Sequence, residues 1–164
     1  MDEQVIDKEE LREKILAYLQ DDYELQLHAA KAAHAAATHE ECLPDNKYAT
    51  LGLEASYIAQ GQANRAQEIL RAQQQFRQMA FPTFSADALI RVAAVVELLD
   101  EEGQRRHVFI APTAGGLEVN IATVRVMVIT PASPLGRELI GKRCGDLVQL
   151  ATDVMREYEI EAVY

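Results

Sequence analysis

Apolar residues return at alternating steps of four and three through the first part of the chain: Leu11, Ile15, Tyr18, Leu25, Ala29, Ala32 and Ala36, with Asp22 as a polar interruption. That spacing lays one stripe along a helix and is the seam of a coiled coil. From Asp7 to about His39 there is no proline or glycine, and Asp7 followed by Glu10 forms a capping-box start. A break follows at His39-Glu40-Glu41-Cys42-Leu43-Pro44, where proline suits the first turn of a new helix. The alternation resumes with Tyr48, Leu51, Ala55, Ile58, Gln62, Arg65, Ile69, Ala72, Phe76 and Met79.

Two long helices joined by so short a link must lie antiparallel. Each arm holds roughly 30 residues, so at 1.5 Å per residue the hairpin should be about 45 Å long. Near the link the first helix contributes mostly alanine to the seam, which predicts close approach and a thin tip at about residues 39–46.

Past Ala80 the period changes. Phe81-Pro82-Thr83-Phe84-Ser85 reads as a connector, so the chain is expected to divide into a hairpin, residues 1–79, and a second domain, residues 80–164. Ile90–Leu99, Arg106–Ile110, Ala122–Ile129, Leu147–Leu150 and Tyr158–Val163 are short and rich in valine and isoleucine, which predicts strands of an antiparallel sheet. Asp100-Glu101-Glu102-Gly103 and Ala114-Gly115-Gly116 read as hairpin turns. Ser133-Pro134-Leu135-Gly136-Arg137-Glu138-Leu139-Ile140-Gly141 reads as one short helix, with Ser133 as N-cap, Pro134 in the first turn and Gly141 past the end. The fold class is therefore α+β, an antiparallel helical hairpin followed by a small β domain.

Composition narrows the function. A formal net charge of -10 argues against direct binding of free nucleic acid, whose phosphates demand a basic surface. No stretch reaches the roughly 20 apolar residues of a membrane span. The acidic start, Met1–Glu10, has no basic and apolar leader, so the mature chain is expected to begin near Met1 and to reside in the cytoplasm. Cys42 and Cys144 fall in different units, and no structural disulfide is expected.

Ser133-Pro134-Leu135-Gly136-Arg137-Glu138-Leu139-Ile140-Gly141-Lys142-Arg143-Cys144-Gly145-Asp146-Leu147-Val148, with Tyr158-Glu159-Ile160 beyond it, resembles the C-terminal domain of the GreA/GreB transcript-cleavage factors. Pro44-Asp45-Asn46-Lys47-Tyr48, then Glu54-Ala55, Gln60 and Arg65, is similar to the second hairpin helix of that family. The resemblance implies an FKBP-like β domain that docks on RNA polymerase, with Ser133, Pro134, Leu135, Gly141, Lys142, Gly145 and Asp146 in the docking segment. It implies a hairpin reaching through the secondary channel, whose tip acids Asp45, Glu41 and Glu40 help retain a magnesium ion at the polymerase active center. The free protein would need no cofactor or metal, would act as a monomer, and would meet nucleic acid only through the polymerase, which supplies the catalysis.

The tip departs from the family pattern. Cleavage-competent members carry an aspartate three residues before their acid-asparagine pair, and the equivalent position here is Cys42; the link from acid to tyrosine is one residue shorter. Without the resemblance, Glu40, Glu41 and Asp45 read as a solvated helix connection. Three functions follow as expectations: a cleavage-stimulating factor, a channel-occupying regulator without cleavage, and a prolyl isomerase. The last is disfavoured by an aromatic content of 6% with no tryptophan. His39 and Cys42 have no second ligand pair nearby for zinc, and His28 and His34 read as ordinary helix side chains.

Overall fold

The computed structural model describes residues 6–38, 49–85, 87–151 and 155–164. The chain divides into two compact units, one formed by Ile15–Phe76 and the other by Met1–Lys14 with Arg77–Tyr164. Its elements are the helices α1 (Lys8–Ala37), α2 (Ala49–Gln78) and α3 (Pro134–Leu139), and the strands β1 (Val95–Asp100), β2 (Arg105–Ile110), β3 (Glu118–Ile121), β4 (Val124–Ile129), β5 (Leu147–Ala151) and β6 (Met155–Val163). Among the described residues no helix is long and apolar enough to cross a membrane.

α1 starts where its cap demands. The Asp7 carboxylate accepts from the backbone N–H of Glu9 at 2.9 Å and of Glu10 at 3.3 Å, satisfying amides that the first turn leaves unpaired. Within the helical unit α1 and α2 run antiparallel, as Gln20 meets Gln73 and Asp22 meets Arg65. Ile15, Leu19, Ala66, Ile69, Ala72 and Phe76 are buried between them. Asp22, the polar break in the seam, is answered by Arg65 at 3.7 Å. Gln73 is 2% exposed and its side-chain amide donates to the Gln20 carbonyl at 3.0 Å. An amide pair inside an apolar seam fixes the register, because any slip would leave both groups buried without a partner.

The seam does not follow the heptad positions throughout. After Ile15 the buried residue is Leu19, while Tyr18 and Leu25 are 56% and 65% exposed. A buried phenol needs a hydrogen-bond partner and a leucine does not, which favours the step of four from Ile15 to Leu19. In α2, Ala66 turns inward in place of Arg65, and Ile58 is exposed. Between Asp22 and Thr38 no described side chain is fully buried, so the alanine-rich stretch is packed more lightly than the Ile15–Phe76 end.

The other unit is built on a six-stranded sheet in the order β3-β4-β2-β1-β6-β5. All pairings are antiparallel except β2 with β4, which is parallel where an antiparallel sheet was expected. The cause is β3, a strand missed by the periodicity. The chain leaves β2, runs back along β3 at the sheet edge, and returns as β4 between the two. Ala114-Gly115-Gly116 is thus a turn but not a hairpin; the hairpin turn is Ala122-Thr123, with Ala122 at φ 50. Asp100–Gly103 does close a hairpin, the Asp100 carboxylate accepting from Glu102 and Gln104 and Gly103 at φ 75. β1 begins only at Val95, because Ala93 has φ 76, and Ile90 pairs instead with the backbone of Gly141 and Lys142. One face of the sheet buries Val96, Leu98, Val108, Ile110, Ile160 and, from α3, Leu139.

The start of α1 belongs to this unit and grips the connector that precedes the sheet. Arg12 donates to the Met79 carbonyl and lies over the Phe81 ring, 4.3 Å from its centroid. Phe81 in turn meets Phe109 edge-on at 5.9 Å. Lys8 donates to the Pro82 carbonyl at 3.0 Å and lies 4.6 Å over the Phe84 ring. Burial pushes the Lys8 ammonium down from its ordinary 10.5 to about 8.

Two outcomes follow from this packing. Phe76→Ala should cost about 3–5 kcal/mol in chemical denaturation, by cavity formation, whereas Leu25→Ala should stay within about 0.5 kcal/mol. With the Lys8 value depressed in the folded state, the unfolded chain holds the extra proton between about pH 8 and 10.5, so stability should rise with pH across that window. The difference between wild type and Lys8→Met, measured by thermal melts from pH 7 to 11, isolates this rise; an identical pH profile in both would contradict it.

Candidate functional site

The segment from Ser133 to Asp146 is held by its own polar groups. Ser133 Oγ accepts from the Gly136 N–H at 3.0 Å and donates to the Thr130 carbonyl at 2.7 Å, and Pro134 occupies the first turn of α3, as the sequence predicts. A Cβ on Gly136 would fall on the Thr130 carbonyl oxygen, so only glycine lets α3 seat this close to the end of β4. At the other end the Ile140 N–H returns to the Gly136 carbonyl at 3.0 Å, and Gly141 turns the chain at φ 82.

Beyond the helix the segment is stitched on two sides. Gly141 N–H donates to the Ile90 carbonyl at 2.9 Å, and Ile90 N–H donates back to the Lys142 carbonyl at 2.8 Å. The Asp146 carboxylate accepts from the Arg143 N–H at 2.9 Å, closing a tight turn in which Gly145 has φ 85. Gly145 and Asp146 then exchange backbone bonds with Ile160 at 2.8 and 3.0 Å. The polar atoms of Ser133 and Asp146 are thus engaged in shaping the segment. Leu135 packs against the core, and Pro134, Arg137 and Ile140 are exposed.

Beside α3 the uncovered sheet face forms a groove of about 500 Å³, with Ser133, Pro134 and Leu135 on one wall. Its floor is apolar, from Val108, Met127, Leu150 and Tyr158, and Met127 is 39% exposed. Arg105, Arg106 and Arg125 stand at the groove, each answered by carboxylates: Glu97 at 3.3 Å and Glu161 at 3.0 Å for Arg105, Asp100 for Arg106 and Glu118 for Arg125. Arg106 lies over the Tyr158 ring at 5.9 Å and 3.8 Å from Asp100, and Arg125 is 3.5 Å from Glu118. This groove was missed in the sequence, although Arg106 and Val108, like Arg125 and Met127, alternate as neighbours on one strand face must.

The expected site residues in the C-terminal unit are therefore brought together: Ser133, Pro134, Leu135, Gly141, Lys142, Gly145 and Asp146 form one continuous segment. The tip acids Glu40, Glu41 and Asp45, with Cys42 and His39, lie outside the described residues. Among the described residues no group of three or more His, Cys, Asp or Glu is placed to hold a metal ion.

Residues 86–164, which contain the segment, the groove and the whole sheet, match the family model described as the C-terminal domain of transcription elongation factor GreA/GreB. Residues 86–164 thus form a GreA/GreB C-terminal domain. The GreA factor homolog 1 (Gfh1) protein of Thermus thermophilus is 25% identical over 91% of this chain and 94% of its own, with a TM-score of 0.40. Gfh1 of Thermus aquaticus is 25% identical over 93% and 92%, with a TM-score of 0.41, and a GreA/GreB factor from Nitrosomonas europaea is 12% identical over 70% and 91%, with a TM-score of 0.37. Comparison with curated proteins returned no significant match.

In this GreA/GreB domain Gly136→Ala should destabilise more than Ser133→Ala. The first forces α3 off Thr130, at about 1–3 kcal/mol or more, and the second removes one cap, at about 1 kcal/mol. Urea denaturation of the two variants checks the order, and a Gly136→Ala protein as stable as wild type would contradict the close seating.

Proposed function

We propose that the protein binds RNA polymerase through the Ser133–Asp146 segment and the groove beside it, and inserts its helical hairpin into the secondary channel. The observation that carries this reading is the match of residues 86–164 to the GreA/GreB C-terminal domain, with the family's segment closed into a rigid ridge beside an apolar groove. A surface whose shape is fixed before contact loses little entropy on docking. The helices, at 30 residues each, are about 45 Å long. The protein works as a monomer in the cytoplasm, as an accessory factor that performs no catalysis of its own and meets nucleic acid only through the polymerase. Asp45, Glu41 and Glu40 at the tip help the polymerase retain magnesium over backtracked RNA, whose cleavage the protein stimulates.

A second reading rests on Cys42, which stands where cleavage-competent relatives carry an aspartate, and on the shortened link to Tyr48. Thiols are poor magnesium ligands. In that case the protein occupies the channel without stimulating cleavage and competes with factors that do.

The two readings share the division of labour and differ in outcome at the tip. Replacing Glu40, Glu41 and Asp45 together by alanine should leave polymerase affinity within about twofold, since exposed charges contribute little to folding or docking energy. Release of short 3′ RNA fragments from backtracked complexes should fall by an order of magnitude or more if the protein is a cleavage factor. No release by the wild-type protein at any magnesium concentration, with displacement of an authentic cleavage factor, establishes the second reading. A folded triple variant that no longer binds polymerase contradicts both.

A further inference from the structure

We propose that the free edge of β5 is a docking strand for an extended segment of another protein, one that alternates lysine or arginine with apolar residues. The six-stranded sheet ends on β3 at one side and on β5 at the other, and the two ends are built differently. In β3 the two-residue turn pairs Ile121 with Val124, so the ladder alternation aims the backbone groups of Glu118 and Asn120 away from β4. Lys14 donates to the Asn120 carbonyl at 2.7 Å and so covers that edge, beside the charge of Glu118. Charges and covered carbonyls are how a sheet ordinarily keeps foreign strands off.

β5 has neither. Ile160 N–H donates to the Asp146 carbonyl at 3.0 Å, which sets the phase of the next ladder. Val148 and Leu150 therefore bond β6, while Leu147, Gln149 and Ala151 aim their N–H and C=O groups outward. Among the described residues no hydrogen bond reaches those outward groups, and the strand Leu147-Val148-Gln149-Leu150-Ala151 holds no charge and no proline.

The flanking side chains say what fits the edge. Val148 is buried and Leu150 half-buried on the face that carries α3, so an incoming strand needs apolar residues there. On the opposite face Leu147 and Gln149 stand beside Glu159 and Glu157 of β6. Gln149 donates to Glu157 at 2.9 Å, and among the described residues neither carboxylate has a cation partner. Both lie two strand spacings from an incoming backbone, roughly 10 Å, a gap that a lysine or arginine reaching toward a glutamate spans. The apolar stem of such a side chain lies across Leu147, which is 54% exposed. A second copy of this chain would instead bring the same carboxylates to a protein of net charge -10, so the charges select a basic partner. In strand addition the main chain supplies affinity and the alternating side chains supply specificity.

The test titrates the isotope-labelled full-length protein with a short capped peptide alternating lysine and valine. A peptide of the same composition in two blocks, and one alternating glutamate and valine, are the controls. Amide exchange at Leu147, Gln149 and Ala151 should slow with the alternating basic peptide, and both controls should bind about tenfold more weakly. Gln149→Pro should weaken binding about tenfold, since it removes an outward donor and leaves the β6 ladder intact. Glu157→Gln combined with Glu159→Gln leaves the β5 backbone unchanged and should weaken the lysine peptide by a similar factor. Equal binding of the block peptide would reduce the attraction to net charge and overturn the proposal. Undisturbed β5 amides at millimolar peptide would overturn it too, as would slowed exchange there in concentrated protein without peptide, which gives the edge to a second copy.

Discussion

The carbonyl oxygen of Thr130 fixes the exposed segment of the C-terminal unit. It accepts from the backbone of Ser133 at 3.0 Å and from the Ser133 hydroxyl at 2.7 Å, and it occupies the space a side chain on Gly136 would need. One acceptor thereby holds the Ser133 hydroxyl that caps α3 and sets how closely the helix seats. Everything downstream inherits that position: the exit at Gly141, the pairing with Ile90, and the Asp146 turn that delivers the chain to β5. The groove has its width because α3 covers only part of the sheet face and stops short of Met127 and Arg125.

The helical unit solves a different problem with the same economy. Its apolar contacts crowd toward Ile15 and Phe76, and Gln20 with Gln73 and Asp22 with Arg65 hold the register where that contact thins. The lightly packed alanine stretch beyond them has little to gain from a different alignment, so the polar pairs carry the specificity.

Much of this was legible in the residues. Asp7, Ser133, Pro134 and Gly141 announce helix ends because capping is local chemistry, decided within one turn. The Ser-Pro, Gly-Lys and Gly-Asp run carries the family for the same reason: the constraint on each residue lies in its own backbone. What periodicity misread depends on partners distant in sequence. The parallel β2–β4 pairing follows from β3 slipping to the edge, and four residues of Glu-Val-Asn-Ile are too short to signal a strand. Ile90 looked like strand because it is apolar and flanked by others, yet its partner is Gly141, fifty-one positions on. Tyr18 and Leu19 are both plausible seam residues, and the choice rests on what α2 presents. The groove needed the sheet to be assembled before Arg106, Arg125 and Met127 became neighbours.

The proposed docking puts RNA polymerase on this ridge and groove. Hydroxyl-radical footprinting of the full-length protein, free and with saturating RNA polymerase, tests it most directly, since Met127 and Pro134 are exposed in the free protein and Met127 oxidises readily. The account predicts strong protection of Met127, Pro134 and Leu135 in the complex. Unchanged oxidation of all three, with the polymerase demonstrably bound, would contradict it.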